Sequence, residues 1–199
     1  MIPASRFIVE SRWRDDWLEA RTRGVTATAV AECATPSGFA DHVASWSEPP
    51  FEGNGFTAFG SWAERYMMEH AHHEYGILPN DWMLRSADDP RWLATPDGLS
   101  PDHRLIAEAK TTGKDWASPP IRYLRQVQWQ LLVTGAERCL LLWQLRATAD
   151  DGSFYTGWLE PKTLWIEPDL AMQKDLIGVA ERLWEAKQSR KENSHANNF

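Results

Sequence analysis

Two hydrophobic periods divide the chain. Apolar residues recur at helical spacing in "FGSWAERYMMEHAHHEYG" (59–76), from about Pro120 to Thr134, and in "DLAMQKDLIGVAERLWEAKQ" (169–188). This predicts three helices, the first closed by Gly76 and the second by Gly135. Short apolar runs bounded by turn residues predict strands instead. "WMLRSADDPRWLATPDGLS" ends a first strand, the turn "SPDH" leads into a second, "RLIAEAKT", and "RCLLLWQLRA" and "FYTGWLE" flank the turn "DDGS". Nearer the N-terminus the pattern gives a helix around Asp16 to Arg23, a break at Gly24, and a second helix opening near Thr26 to Thr28, where hydroxyls precede an alanine-rich run. Residues 34–60 are rich in Pro, Gly and Ser and read as loop with a short helix near Ala40 to Trp46. The tail "SRKENSHANNF" is polar, aperiodic and expected to be disordered. Helices and strands alternating in this order predict an α/β fold, a small mixed β-sheet flanked by helices, in one domain over 1–188 with a disordered tail at 189–199.

Composition narrows the setting. The 199 residues, 43% hydrophobic and 25% charged, suit one globular domain, and no apolar run approaches the roughly 18 residues of a membrane span. The N-terminus turns charged before any signal-like stretch develops, and Cys33 and Cys139 are too few for a disulfide framework or a four-cysteine metal site, which together predict a cytoplasmic protein. The formal charge of −7 argues against nucleic-acid binding by bulk positive charge, although it permits a local basic channel. The 12 tryptophans are read as core or cleft-wall residues.

The tripeptide "EAK" occurs twice, at 108–110 and at 185–187. On the C-terminal helix Glu185 and Lys187 point to different sides, so that copy reads as solvated surface. On a strand, residues two apart share a face, so Glu108 and Lys110 stand side by side. "ATPDGL" can bring Asp97 beside Glu108, with Gly98 letting the backbone turn away. Two adjacent carboxylates repel unless a cation joins them. A divalent metal held by Asp97, Glu108 and the backbone carbonyl of Ala109 resolves this, with Lys110 placed to orient or help deprotonate a water. In the plainer reading Asp97 caps a turn and Glu108 and Lys110 form a surface pair.

Other residues bear on the choice. In the helix near 120–134 the stripe Ile121, Leu124, Val127, Leu131 and Leu132 encloses Gln128, with Gln126 and Gln130 opposite, so Gln128 is expected to face a polar pocket. Glu64 borders the apolar face made by Gly60, Met67 and Ala71 and can reach the same cluster. Arg21 and Arg23, at the helix break before Thr26 and Thr28, form a candidate phosphate cradle.

In their order, "WLEARTRGVTATAV", "FGSWAERY", "ATPDGL" with "LIAEAKT", and "YLRQVQWQLLVTG" resemble the phage exonuclease and YqaJ-like recombinase family, the branch of the PD-(D/E)xK nucleases that includes the lambda exonuclease. The resemblance spans roughly residues 13–145 and implies a restriction-endonuclease-like core and a Mg²⁺-dependent exodeoxyribonuclease, with Mn²⁺ as substitute, that digests duplex DNA from its ends 5′ to 3′ in phage-type recombination within a bacterial host. It implies Asp97 and Glu108 as metal-binding acids, Lys110 as the catalytic lysine, Glu64 as an acid for a second metal, and Gln128 within the glutamine-rich helix of the site. Arg21 with Thr28 matches the segment associated with 5′-phosphate recognition. The family often has serine where Thr28 stands, and Arg23 leaves open which arginine serves. A single-strand annealing protein as partner and a ring-shaped trimer are further implications. The same residues also admit another endonuclease of the superfamily, a Cas4-like nuclease, against which the cysteine count speaks, or a non-catalytic DNA-binding protein that keeps the fold.

Overall fold

The computed structural model describes residues 1–48 and 53–196; the loop expected at 49–52 lies outside the described residues. The elements in chain order are β1 (Phe7–Glu10), α1 (Arg14–Thr22), β2 (Val25–Thr26), α2 (Ala27–Glu32), α3 (Pro36–Ser45), α4 (Gly55–Tyr75), β3 (Leu78–Pro79), β4 (Trp82–Arg85), β5 (Trp92–Ala94), β6 (Gly98–Leu99), β7 (Leu105–Thr112), α5 (Ile121–Thr134), β8 (Arg138–Thr148), β9 (Phe154–Thr156), β10 (Lys162–Ile166) and α6 (Leu170–Ala196).

The larger sheet has the order β10-β8-β7-β6-β3, with β9 paired to the far end of β8, and the smaller has the order β1-β4-β5-β2. Both are mixed: β7 runs parallel to β8 and β2 parallel to β5, while the other pairs are antiparallel. One mixed sheet was the expectation. The run from Trp82 to Leu99 instead supplies three short strands to two sheets, because the turn at residues 86–91 and the bend at 95–97 each redirect the chain.

The large sheet is covered on both faces. Phe59, Ala63, Met67, Met68 and Ala71 of α4 pack on Ala107, Ala109, Leu140 and Leu142. On the other face, Val127 and Leu131 of α5 pack on Ile106, Cys139, Leu141 and Trp143. Each fully buried Val, Leu, Ile or Met side chain among these contributes roughly 1.5–3 kcal/mol of apolar burial. The far side of α5 is also buried: Trp129 and Val133 meet Val30 of α2 and Leu176, Val179 and Leu183 of α6, and the Trp129 Nε1–H donates to the Leu93 carbonyl at 3.1 Å.

Caps set the helix limits. The Thr26 side chain accepts from the Ala29 N–H at 3.5 Å, as expected of the hydroxyls ahead of α2. Asn54 and Thr57 form a reciprocal capping box that starts α4 earlier than the apolar pattern does. The last helix runs on to Ala196, where the sequence reading ends it near 188 and expects disorder. Arg190 anchors the extension by donating to the Trp46 carbonyl at 2.7 Å and lying 5.4 Å from that ring's centroid. Residues 197–199 of the expected tail lie outside the described residues.

Candidate active site

A strand that stops early creates the site. β8 lies beside β7 along the whole length of β7, but β6 reaches only Ile106 and Ala107 on the other edge. Among the described residues, no strand lies beside that edge of β7 from Glu108 onward, and Asp97, immediately before β6, fills the position. Its Oδ2 accepts the Ala109 N–H at 2.8 Å. In an extended strand a residue's N–H and C=O point to the same edge, so the Ala109 carbonyl also faces Asp97. Gly98 serves close approach rather than a reversal of direction: a Cβ there would lie 2.8 Å from Ile77 Cγ2 and 3.0 Å from Ala107 Cβ.

Alternation along β7 puts Glu108 and Lys110 on the α5 face with Ile106. Glu108 is almost fully buried, at 1% exposure, so its charge needs partners. Its Oε1 accepts from the Lys110 ammonium and from Gln126 Nε2 at 2.5 Å, and its Oε2 accepts from Gln130 Nε2 at 2.6 Å. The two glutamines sit four residues apart and present their amides on one helix face. The Lys110 Nζ also lies 5.4 Å from the Tyr123 ring centroid.

The structure corrects the expectation for Gln128. Its Nε2 donates to the Glu167 carbonyl at 2.8 Å, and its Oε1 accepts from the Asp169 N–H at 2.8 Å and from Gln173 Nε2 at 3.2 Å. Gln128 therefore fastens α5 to the start of α6, on the side away from Glu108. The helical wheel separated Gln128 from Gln126 and Gln130 correctly, but α5 is buried on both sides, so the stripe does not identify the face toward the site. The spacing of Gln126 and Gln130 was the available signal for the residues it missed.

The second "EAK" also departs from its reading as solvated surface. Lys187 Nζ donates to the Gly24 carbonyl at 2.6 Å, tying α6 to the break between α1 and β2.

A cavity of about 250 Å³ brings Asp97, Glu108 and Lys110 together with Arg21, Thr28, Gln126 and Gln130. A neighbouring cavity of about 360 Å³ is lined by Glu64, Lys110, Ala109, Tyr123 and Gln126, and also by Glu32, which the sequence reading passed over. Lys110, Thr28 and Gln126 line both, so the two form one cleft. Arg21 enters this cleft, with its guanidinium 4.4 Å from the Trp17 ring centroid, whereas Arg23 forms an exposed ion pair with Glu19.

The charges are unbalanced. Removal from water, then repulsion by Glu108 and Glu64, holds the half-buried Asp97 carboxyl well above the usual carboxylate range, against the Ala109 N–H. Glu64 keeps open surface of its own but stands in the cleft, and desolvation followed by the charge of Glu108 raises it as well. Burial works against the Lys110 ammonium, yet Glu108 and Asp97 outweigh it and raise its pKa. Three carboxylates thus share one lysine.

Among the described residues, no three His, Cys, Asp or Glu side chains form a ligand set by themselves. A divalent cation nevertheless fits, because Asp97 Oδ1 and one lone pair of Glu108 Oε2 are uncommitted, the Ala109 carbonyl faces Asp97, and the carboxylates of Asp97, Glu108 and Glu64 repel one another with only the Lys110 ammonium hydrogen-bonded among them.

A mixed sheet with helices on both faces and an Asp, Glu-x-Lys cluster where a strand ends defines the restriction-endonuclease-like class. The YqaJ-like viral recombinase domain matches residues 16–137, and the chain belongs to that family. Solved structures agree on the fold. LHK-Exo in complex with dAMP superposes with a TM-score of 0.72 at 20% identity, covering 92% of this chain and 97% of that one. The alkaline exonuclease LHK-Exo of Laribacter hongkongensis gives 0.65 at 20% identity, over 92% and 98%. A phage-related exonuclease of Haemophilus somnus 129PT gives 0.62 at 15% identity, over 85% and 96%. No curated protein matches the chain.

Proposed function

We propose that the protein is a Mg²⁺-dependent exodeoxyribonuclease that degrades linear duplex DNA from its ends, 5′ to 3′. The observation that carries this reading is the convergence of Asp97, Glu108 and Lys110 in a cavity that Arg21 also enters. Membership of the YqaJ-like family supports it, as does the described complex of LHK-Exo with dAMP, since a deoxynucleoside monophosphate is the class of product an exonuclease releases.

Asp97, Glu108 and the Ala109 carbonyl would hold the cation, with Glu64 near a second position. When bound, Mg²⁺ supplies Lewis acidity, making water nucleophilic at neutral pH and offsetting charge on the phosphoryl oxygens. Gln126 and Gln130 fix the Glu108 carboxylate in one orientation. Lys110, kept as an ammonium by Glu108 and Asp97, donates rather than accepts: it orients the attacking water and stabilises charge on the phosphate. Hydrolysis then leaves a 5′-phosphate and a 3′-hydroxyl. Arg21, with Thr28, receives the terminal 5′-phosphate.

The test compares end-labelled linear duplex with and without a 5′-phosphate, and a closed circle, each with Mg²⁺ and with EDTA. The expected result is Mg²⁺-dependent release of mononucleotides from the phosphorylated 5′ end and an intact circle. Cutting of the circle would favour an endonuclease, and no cutting in Mg²⁺ a DNA-binding protein that keeps the fold.

A further inference from the structure

The cleft continues beyond Lys110. Past the Tyr123 ring it opens, at the end of β7, into a cavity of about 400 Å³ lined by Phe56, Gly113, Trp116, Arg122 and Arg146. Thr111, Arg122 and Tyr123 line both this cavity and the one that holds Lys110 and Glu64, so the two are continuous. It shares no lining residue with the cavity that Arg21 enters. Arg21 and Arg146 therefore mark opposite ends of one cleft, with Lys110 between them.

The whole chain carries −7, yet this end of the cleft is cationic. Among the described residues no Asp or Glu lines the cavity, and neither Arg122 nor Arg146 forms an ion pair. Asp115, in the loop after β7, is paired with Lys162. Neutral partners hold the two arginines and leave their charge in place. Arg122 donates from Nη2 to the Tyr123 hydroxyl at 2.7 Å, with its guanidinium 4.6 Å from that ring's centroid. The Arg146 guanidinium lies 4.4 Å from the Phe56 centroid and 5.4 Å from that of Phe154. The rings fix where the cations stand, and a guanidinium so placed suits phosphate oxygens. Lys110 Nζ lies 5.4 Å from the same Tyr123 centroid, so Arg122 follows the lysine along the cleft.

On the reading proposed above, the terminal 5′-phosphate sits at Arg21 and the scissile phosphate at Lys110. A strand running from Arg21 past Lys110 then reaches Arg122 and Arg146 with the nucleotides 3′ to the cut, which remain in the duplex after hydrolysis. We infer that Arg122 and Arg146 bind backbone phosphates of this retained strand. Charge complementarity and continuity with the cavity of Lys110 favour this occupant over the complementary strand, which has no phosphate at Lys110.

The test is fluorescence anisotropy in EDTA, with a hairpin-capped duplex that has one free, 5′-phosphorylated end. Single phosphates are replaced by neutral methylphosphonates, one position at a time, in the phosphorylated strand or in its complement. Wild-type protein is expected to lose affinity when a phosphate just 3′ of the scissile one is neutralised, and to keep it for replacements in the complement. Arg122→Gln/Arg146→Gln should bind the unmodified duplex about tenfold more weakly, with a log–log salt slope reduced by roughly 1.8, at about 0.9 per contact. The same variant should lose nothing further from those replacements, a coupling that a merely structural role for the arginines does not produce. Interference confined to the complement or absent from both strands, a variant still weakened by the replacements, or unchanged binding by the variant would each overturn the assignment. So would an altered oligomeric state of the variant by light scattering, which would mean an interface between copies. If the double variant fails to fold, Arg122→Gln alone, on an exposed side chain, repeats the test. Degradation of the unmodified duplex by wild-type protein in Mg²⁺ is scored separately, so that failure of the nuclease reading is told apart from failure of the phosphate contacts.

Discussion

Gln126 and Gln130 donate to opposite oxygens of Glu108, at 2.5 and 2.6 Å, and so hold a buried carboxylate in one orientation from one helix face. Outer partners of metal-binding carboxylates typically affect affinity or activity by about 10–100-fold. Gln126→Ala is therefore expected to reduce the nuclease rate by roughly that factor and to raise the Mg²⁺ concentration required, with little change in melting temperature because Gln126 is only partly buried. A Mg²⁺ titration of initial rates, beside a thermal melt, checks both.

Gln128 makes the opposite prediction. Replacing it with Leu leaves the Glu167 carbonyl and the Asp169 N–H without their partner, at a cost of about 1–3 kcal/mol. For a domain of this size that lowers Tm by roughly 3–10 °C. The rate at a temperature where the variant is folded should stay near that of the wild type. Loss of activity without loss of stability would restore Gln128 to the site.

These two positions show where the sequence was legible. Strand alternation and the turn residues of "ATPDGL" were sufficient to place Asp97, Glu108 and Lys110 together, because period-two geometry fixes which side chains share a face. Helical periodicity was not sufficient for α5, since a helix covered by sheet on one side and by α2 and α6 on the other has no single buried stripe. Lys187 was missed for a related reason: its partner is the Gly24 carbonyl, 163 positions away in the chain, and no local pattern carries that contact. The strands β1 and β10 also escaped notice, being short edge strands that pair only in the assembled sheets.

Asp97 and Glu64 give a pH dependence of definite sign. Their carboxyls are raised in the folded protein, so the native state retains protons that the unfolded chain has already released. Stability in EDTA should therefore fall as pH rises from the ordinary carboxylate values of about 4 through the raised ones. Asp89, lowered by its hydrogen bond to Arg91, acts in the window below that range and does not mask the effect. Thermal melts in EDTA from acid to neutral pH should show the decline in wild type and a smaller one in Asp97→Asn; a rise in wild type across this window would contradict the charge balance described.

Arg21 and Arg23 separate by placement, one in the cleft and one paired with Glu19. Arg21→Ala should abolish discrimination between 5′-phosphate and 5′-hydroxyl ends, while Arg23→Ala should keep it. The ratio of initial rates on the two blunt substrates measures this directly.

The cluster of Asp97, Glu108 and Lys110 is the centre of the account, and Lys110 is the member whose removal is least disruptive to packing because it reaches into the cleft. Release of acid-soluble nucleotide from 5′-phosphorylated linear duplex in Mg²⁺ is the direct measurement, made on wild type and Lys110→Ala with DNA binding and melting temperature as controls. The account predicts rapid release by wild type and none by the variant, which still folds and binds DNA. Near-normal turnover by Lys110→Ala would contradict it.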